Sequence, residues 1–151
     1  MKNVKELTTK ALFYFRTGYN CTESVILTIA KDTYEIDSDL IPKIATGFGG
    51  GIGRQGYVCG AVIGAIMGFG LKYGRNSPKE LKAKTYNASA ELCKQFKERF
   101  GTVFCKELCG CDLSTIEGVK KFGEENIREE KCSKFVSDVI EIFMVLQDQQ
   151  K

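Results

Sequence analysis

The chain has 151 residues, 43% of them apolar and 27% charged, with a net charge of +3. That is long enough for one domain with its own core and too apolar for a disordered segment, while so small and dispersed a charge gives no case for nucleic acid or an anionic membrane surface as a partner. Seven cysteines occur with no histidine and no tryptophan, so histidine general-base chemistry and Ser-His or Cys-His nucleophile pairs are excluded, and any protein-derived metal site must use thiolates, carboxylates or backbone groups.

Helical periodicity recurs along the chain and strand-like alternation never persists, which predicts an all-α single domain spanning residues 1–151. About five main helices with short connecting helical turns account for the pattern. Val4, Leu7, Ala11, Tyr14 and Phe15 share one face of a first helix that ends near Thr17 and Gly18. Asn20 opens a second, with Glu23 three residues on as a capping-box partner, and Cys21, Val25 and Ile29 form its stripe. A short third helix is expected from Asp39 to Thr46.

Residues 47–71 read GFGGGIGRQGYVCGAVIGAIMGFGL. Gly51 to Gly56 satisfy G-x-G-x-x-G, but a helical segment precedes them and no parallel-sheet pattern surrounds them, so a dinucleotide fold is rejected. A tight turn, or a small anion site on free N–H groups, is what the glycines themselves allow. A fourth helix is expected from about Tyr57 to Tyr73. In it Gly60, Gly64 and Gly68 recur every four residues and leave one side bare, either for a closely packed helix or as the wall of a cofactor site. The groove would also let two copies pair as a homodimer.

"SPKE" at residues 77–80 has the form of a helix start, with a cap, a proline at the first helical position and the box glutamate. The helix it opens is expected to end at Gly101. "STIE" at 114–117 repeats the capping logic before a short helix interrupted at Gly118 and Gly123. The last helix carries Cys132, Phe135, Val136, Val139, Ile140, Phe143 and Leu146 at three-and-four spacing, a core-facing stripe headed by Cys132. No secretory leader is visible, and the longest nearly uncharged run is shorter than the roughly 20 residues a spanning helix needs. The expectation is a cytoplasmic protein without membrane insertion, whose thiols stay reduced unless they are working.

Seven thiols are an odd number, so a closed disulfide framework would leave one over. Cys21 and Cys59 each sit at the start of a helix, where a thiolate is favoured by the local positive potential; plain burial is the competing explanation. Cys105, Cys109 and Cys111 form a C-x3-C-x-C cluster that suits soft metals or disulfide exchange, although it is neither a zinc knuckle nor a ferredoxin run. Cys93, near Phe96 and Phe100, reads as structural.

Asn20-Cys21, "CGAVIG" at 59–64, "GLKYG" at 70–74, "FCKELCGCD" at 104–112, and Cys132 together resemble the redox-active bacterial family named for its C…CGAxxG…C…C pattern (C_GCAxxG_C_C). The resemblance covers nearly the whole chain. It implies an all-helical redox or metal-binding domain whose four cysteines are Cys21, Cys59, Cys105 and Cys132, with Gly60, Ala61 and Gly64 completing the motif. Cys93, Cys109 and Cys111 are then extras, and Cys109 or Cys111 could supplement or replace a ligand. Related domains accompany haem electron-transfer modules, which points to a redox partner protein of unknown identity.

Three functions follow as expectations. Cys21, Cys59, Cys105 and Cys132 could hold an iron–sulfur cluster for electron transfer. A thiol oxidoreductase would instead use Cys59 as the attacking thiolate and Cys21 or a cluster cysteine as the resolving one, with Arg54 and Lys106 as candidate electropositive neighbours. The third is a helical module with a structural zinc on four thiolates.

Overall fold

The computed structural model describes residues 3–149. Among the described residues nine α-helical segments follow one another: α1 (Val4–Arg16), α2 (Cys21–Leu27), α3 (Leu40–Ala45), α4 (Gly49–Ile52), α5 (Gly60–Tyr73), α6 (Ala83–Phe100), α7 (Cys105–Cys109), α8 (Ile116–Glu124) and α9 (Ser133–Gln149). Wider π-type turns prolong α2 over Thr28–Thr33 and lead into α9 over Arg128–Cys132. No strand occurs among the described residues, only a lone antiparallel bridge between Val58 and Phe104. The all-α expectation holds.

α9 is the central post. Its apolar stripe packs against α1, α2, α5 and α6, and Phe143 stacks on Phe69 of α5 with ring centroids 4.6 Å apart. Phe135 meets Phe100 of α6 edge-on at 5.0 Å. Phe69, Phe96 and Phe143 are fully buried, and such aromatic burial dominates the energetics of a core this size. α1 covers one flank through Leu7, Ala11 and Phe15.

The bare side of α5 is filled by α2. A Cβ on Gly64 would lie 2.8 Å from the Thr22 carbonyl oxygen and 2.9 Å from Val25 Cβ, and one on Gly68 would lie 2.8 Å from Ile29. Each glycine sacrifices about 1 kcal/mol of helix propensity, and the close approach of two backbones is what that sacrifice permits. The groove is therefore occupied within the chain.

Three local expectations are corrected. α5 begins at Gly60, not Tyr57, because Tyr57 and Val58 run extended alongside residues 103–105: Cys59 N–H donates to the Val103 carbonyl at 2.8 Å and Cys105 N–H to the Tyr57 carbonyl at 2.7 Å. Residues 77–80 form a turn closed by Glu80 N–H on the Ser77 carbonyl, and the helix starts only at Ala83. There the Glu80 carboxylate reaches back to the Asn76 N–H (2.9 Å), while the Arg75 guanidinium takes the Pro78 carbonyl that a helix would need. In α8 the cap is Thr115, which accepts from Gly118 N–H, since the Ser114 hydroxyl is held by Asp112. That helix is uninterrupted, and Gly118 stands where any Cβ would collide with the Asp112 carbonyl.

Candidate functional site

Five of the seven cysteines face one cavity of about 460 Å³. Cys21 enters it as the first residue of α2. Its position is set by the capping box: Asn20 Oδ1 accepts from Glu23 N–H at 2.9 Å and Glu23 accepts from Asn20 N–H at 2.8 Å. Asn20 also donates to the Thr46 carbonyl, tying the start of α2 to the segment that leads into the glycine loop. Cys59 is the N-cap of α5 and Cys105 the first residue of α7; the short ladder through Tyr57 and Val103 holds these two helix starts side by side. Cys109 closes α7, and Cys132 arrives on the turn before α9.

The glycine loop forms one wall. Gly50, Gly51, Ile52, Gly53 and Arg54 all have positive φ, a conformation that costs an Ile or Arg where it costs glycine nothing. Gly51 is needed for a second reason: a Cβ there would lie 2.7 Å from Cys105 Cβ. The remaining wall is mostly apolar, with Phe15, Leu108, Phe122 and Phe135, and two guanidinium groups, Arg54 and Arg128, border it. Arg128 stacks on the Phe15 ring at 3.8 Å and donates to the Phe15 and Tyr19 carbonyls.

The sulfurs of Cys105 and Cys132 each lie 3.9 Å from that of Cys109. With a thiol on either side as donor and the Lys131 ammonium nearby, Cys109 is pulled down to about 4. Its two neighbours move the opposite way, since each shares its proton with Cys109 and is drawn out of water, Cys105 fully and Cys132 in part. The trio thus favours negative charge on its middle sulfur. Burial raises Cys59, a trend that Cys21 reinforces and the Ala61 and Val62 N–H groups oppose. Burial likewise raises Cys21, against the Gly50 N–H and Thr22.

All four cysteines singled out by the motif, and Gly60 with them, thus border the cavity. Gly64 lies deeper, against Thr22 and Val25. Cys111 is buried behind the cavity with Ile127, and Cys93 is half-buried on α6 against the main core. Arg54 borders the cavity, whereas the Lys106 ammonium is engaged by Asp112 at 3.1 Å. Arg128 and Lys131 were not singled out in the sequence, although the basic residues of "REEKC" directly before Cys132 are the signal that marks them. No three Cys, Asp or Glu side chains among the described residues already close around a single point as an ion cage.

No helix of the described residues is long and apolar enough to cross a membrane. The chain is similar to an uncharacterized protein of Archaeoglobus fulgidus, 26% identical over 141 residues and covering 87% of each chain. No solved structure matches it. The family described as "Putative redox-active protein (C_GCAxxG_C_C)" matches residues 19–146, a span that contains all seven cysteines and every residue of the cavity wall except Phe15. The chain belongs to that redox-active family.

Proposed function

We propose that the protein is an electron carrier in which Cys21, Cys59, Cys105 and Cys132 hold an iron–sulfur cluster. The observation that carries this reading is that thiols from four separate chain segments ring one cavity that no side chain fills. A thiol-exchange site needs two sulfurs, not a ring of them. A single zinc needs four sulfurs about 2.3 Å from one point, and among the described residues no three Cys, Asp or Glu side chains gather around one. When bound, the cluster supplies a reversible one-electron couple.

The chain's own residues do the rest. The four thiolates fix the group between α2, α5, α7 and the start of α9. N–H groups of Gly50, Ala61 and Val62 lie where they favour negative charge on Cys21 and Cys59, and such outer contacts raise the potential of a thiolate-bound centre. Phe15, Leu108 and Phe135 give the cavity an apolar wall, and Arg54 and Arg128 at its border would offset the charge of four thiolates. Seven unpaired thiols suit a reducing compartment, so a cytoplasmic place and a protein redox partner belong to the same proposal.

Anaerobic purification and reconstitution test it. Iron and acid-labile sulfide in stoichiometric amounts, with a visible absorption band that bleaches on reduction, are the expected result; protein without iron, sulfide or colour overturns it. Cys109 favours one second reading, dithiol chemistry, because its sulfur lies 3.9 Å from two others. That reading requires a mapped disulfide through Cys109 in oxidised, metal-free protein.

A further inference from the structure

Thr22 is fully buried, and its hydroxyl has no hydrogen-bond partner. The other hydroxyls of this helix show what it lacks. Ser24 donates to the Asn20 carbonyl at 2.7 Å and Thr28 to the Ser24 carbonyl at 2.8 Å, each four residues back. Four residues before Thr22 stands Gly18, which precedes the cap and lies outside the helix, so the usual acceptor is absent. An unsatisfied buried hydroxyl costs about 1–3 kcal/mol, and valine has the same shape without that penalty.

The surroundings indicate the missing acceptor. A Cβ on Gly60 would collide with both Thr22 Oγ1 and Cys21 Sγ. Hydroxyl and sulfur therefore flank one point, and the absence of a side chain on Gly60 is what lets them share it. A neutral thiol is a weak acceptor, whereas a thiolate is a strong one. The Thr22 side chain already lies where it favours charge on Cys21.

We infer that Thr22 is a positioning residue of the cavity site, its hydroxyl donating to the Cys21 sulfur when that sulfur is a metal-bound thiolate. The inference rests on the iron–sulfur reading. It explains why a threonine stands in a fully buried position between two packed helices: the hydroxyl is unpaired in the metal-free chain and paired in the loaded one. A donor to a ligating sulfur stabilises the reduced, more negative state and raises the potential.

The test compares wild type with Thr22→Val and Thr22→Ser, each reconstituted anaerobically with iron and sulfide. Equal iron and sulfide per chain are expected in all three. At a fixed applied potential near the wild-type midpoint, the reduced-to-oxidised ratio should fall roughly fivefold in Thr22→Val, the effect of one ordinary hydrogen bond, and Thr22→Ser should restore it. In the metal-free proteins Thr22→Val should melt at or above the wild-type temperature, because the orphan hydroxyl is gone. Loss of stability in the metal-free variant with an unchanged potential in the loaded one marks a packing role only and overturns the inference. Should Thr22→Val fail to fold, Thr22→Ala carries the same comparison of potentials. Wild-type protein that takes up no iron and sulfide overturns the cluster reading and this inference together, whereas loaded proteins of equal potential overturn the inference alone.

Discussion

The sulfur of Cys109 lies 3.9 Å from that of Cys132, although 23 residues separate them in the chain. A cysteine outside the four-cysteine motif thus touches two members of it, and the roles of the five cavity thiols become separable by substitution. Serine at Cys21, Cys59, Cys105 or Cys132 is expected to abolish most of the bound iron and sulfide. Cys109→Ser and Cys111→Ser are expected to keep both near the wild-type level. Metal and sulfide analysis of the six variants, read with their visible spectra, checks this.

The pH dependence of the metal-free protein follows from the same trio. Cys109 is lowered to about 4, so its thiolate contributes stability that is fully present above the ordinary thiol range near 8.5 and is lost as pH falls toward 4. Cys59, Cys105 and Cys132 are raised and act in the other sense, with stability present below the ordinary thiol range and lost as pH climbs beyond it. Stability should therefore rise from pH 4 to about 8 and decline above about 9. Denaturant melts across that range check the curve, and Cys109→Ser should flatten its acid limb.

Two glycines of α5 should respond to alanine with opposite signs. Gly60→Ala places a methyl against Thr22 Oγ1 and Cys21 Sγ, an overpacking expected to cost about 1–3 kcal/mol and to impair cluster uptake. Gly70 has nothing within 4 Å of the added carbon, so Gly70→Ala should stabilise by roughly 0.5–1 kcal/mol through helix propensity alone. Thermal melts of the two variants distinguish a packing glycine from a merely tolerated one.

Asn20 ties two parts of the cavity rim together. Asn20→Ala removes the cap on Glu23 N–H and the bond to the Thr46 carbonyl, and leaves Glu23 without its reciprocal partner. A loss of about 1–2 kcal/mol is expected, together with faster alkylation of Cys21 as the start of α2 frays. Asn20→Asp, which keeps the cap, should recover most of the stability.

The sequence by itself determined what depends on near neighbours. The capping box at Asn20 and Glu23, the face of α1, the α9 stripe behind Cys132, and the placing of Cys21 and Cys59 at helix starts were all legible, because caps and periodicity are written within a few residues. The same local logic misled at residues 77–80, where a cap-like string closes a turn once Arg75 and Asn76 compete for its carbonyl and carboxylate. Only the tertiary structure decided which thiols meet. The approach of Cys109 to Cys132, the ladder that sets Cys59 beside Cys105, and the filling of the α5 groove by α2 come from apolar faces closing around α9, and no spacing within the chain encodes those distances. Helices form from local hydrogen bonds and side-chain preferences; their convergence is set by how the whole core packs.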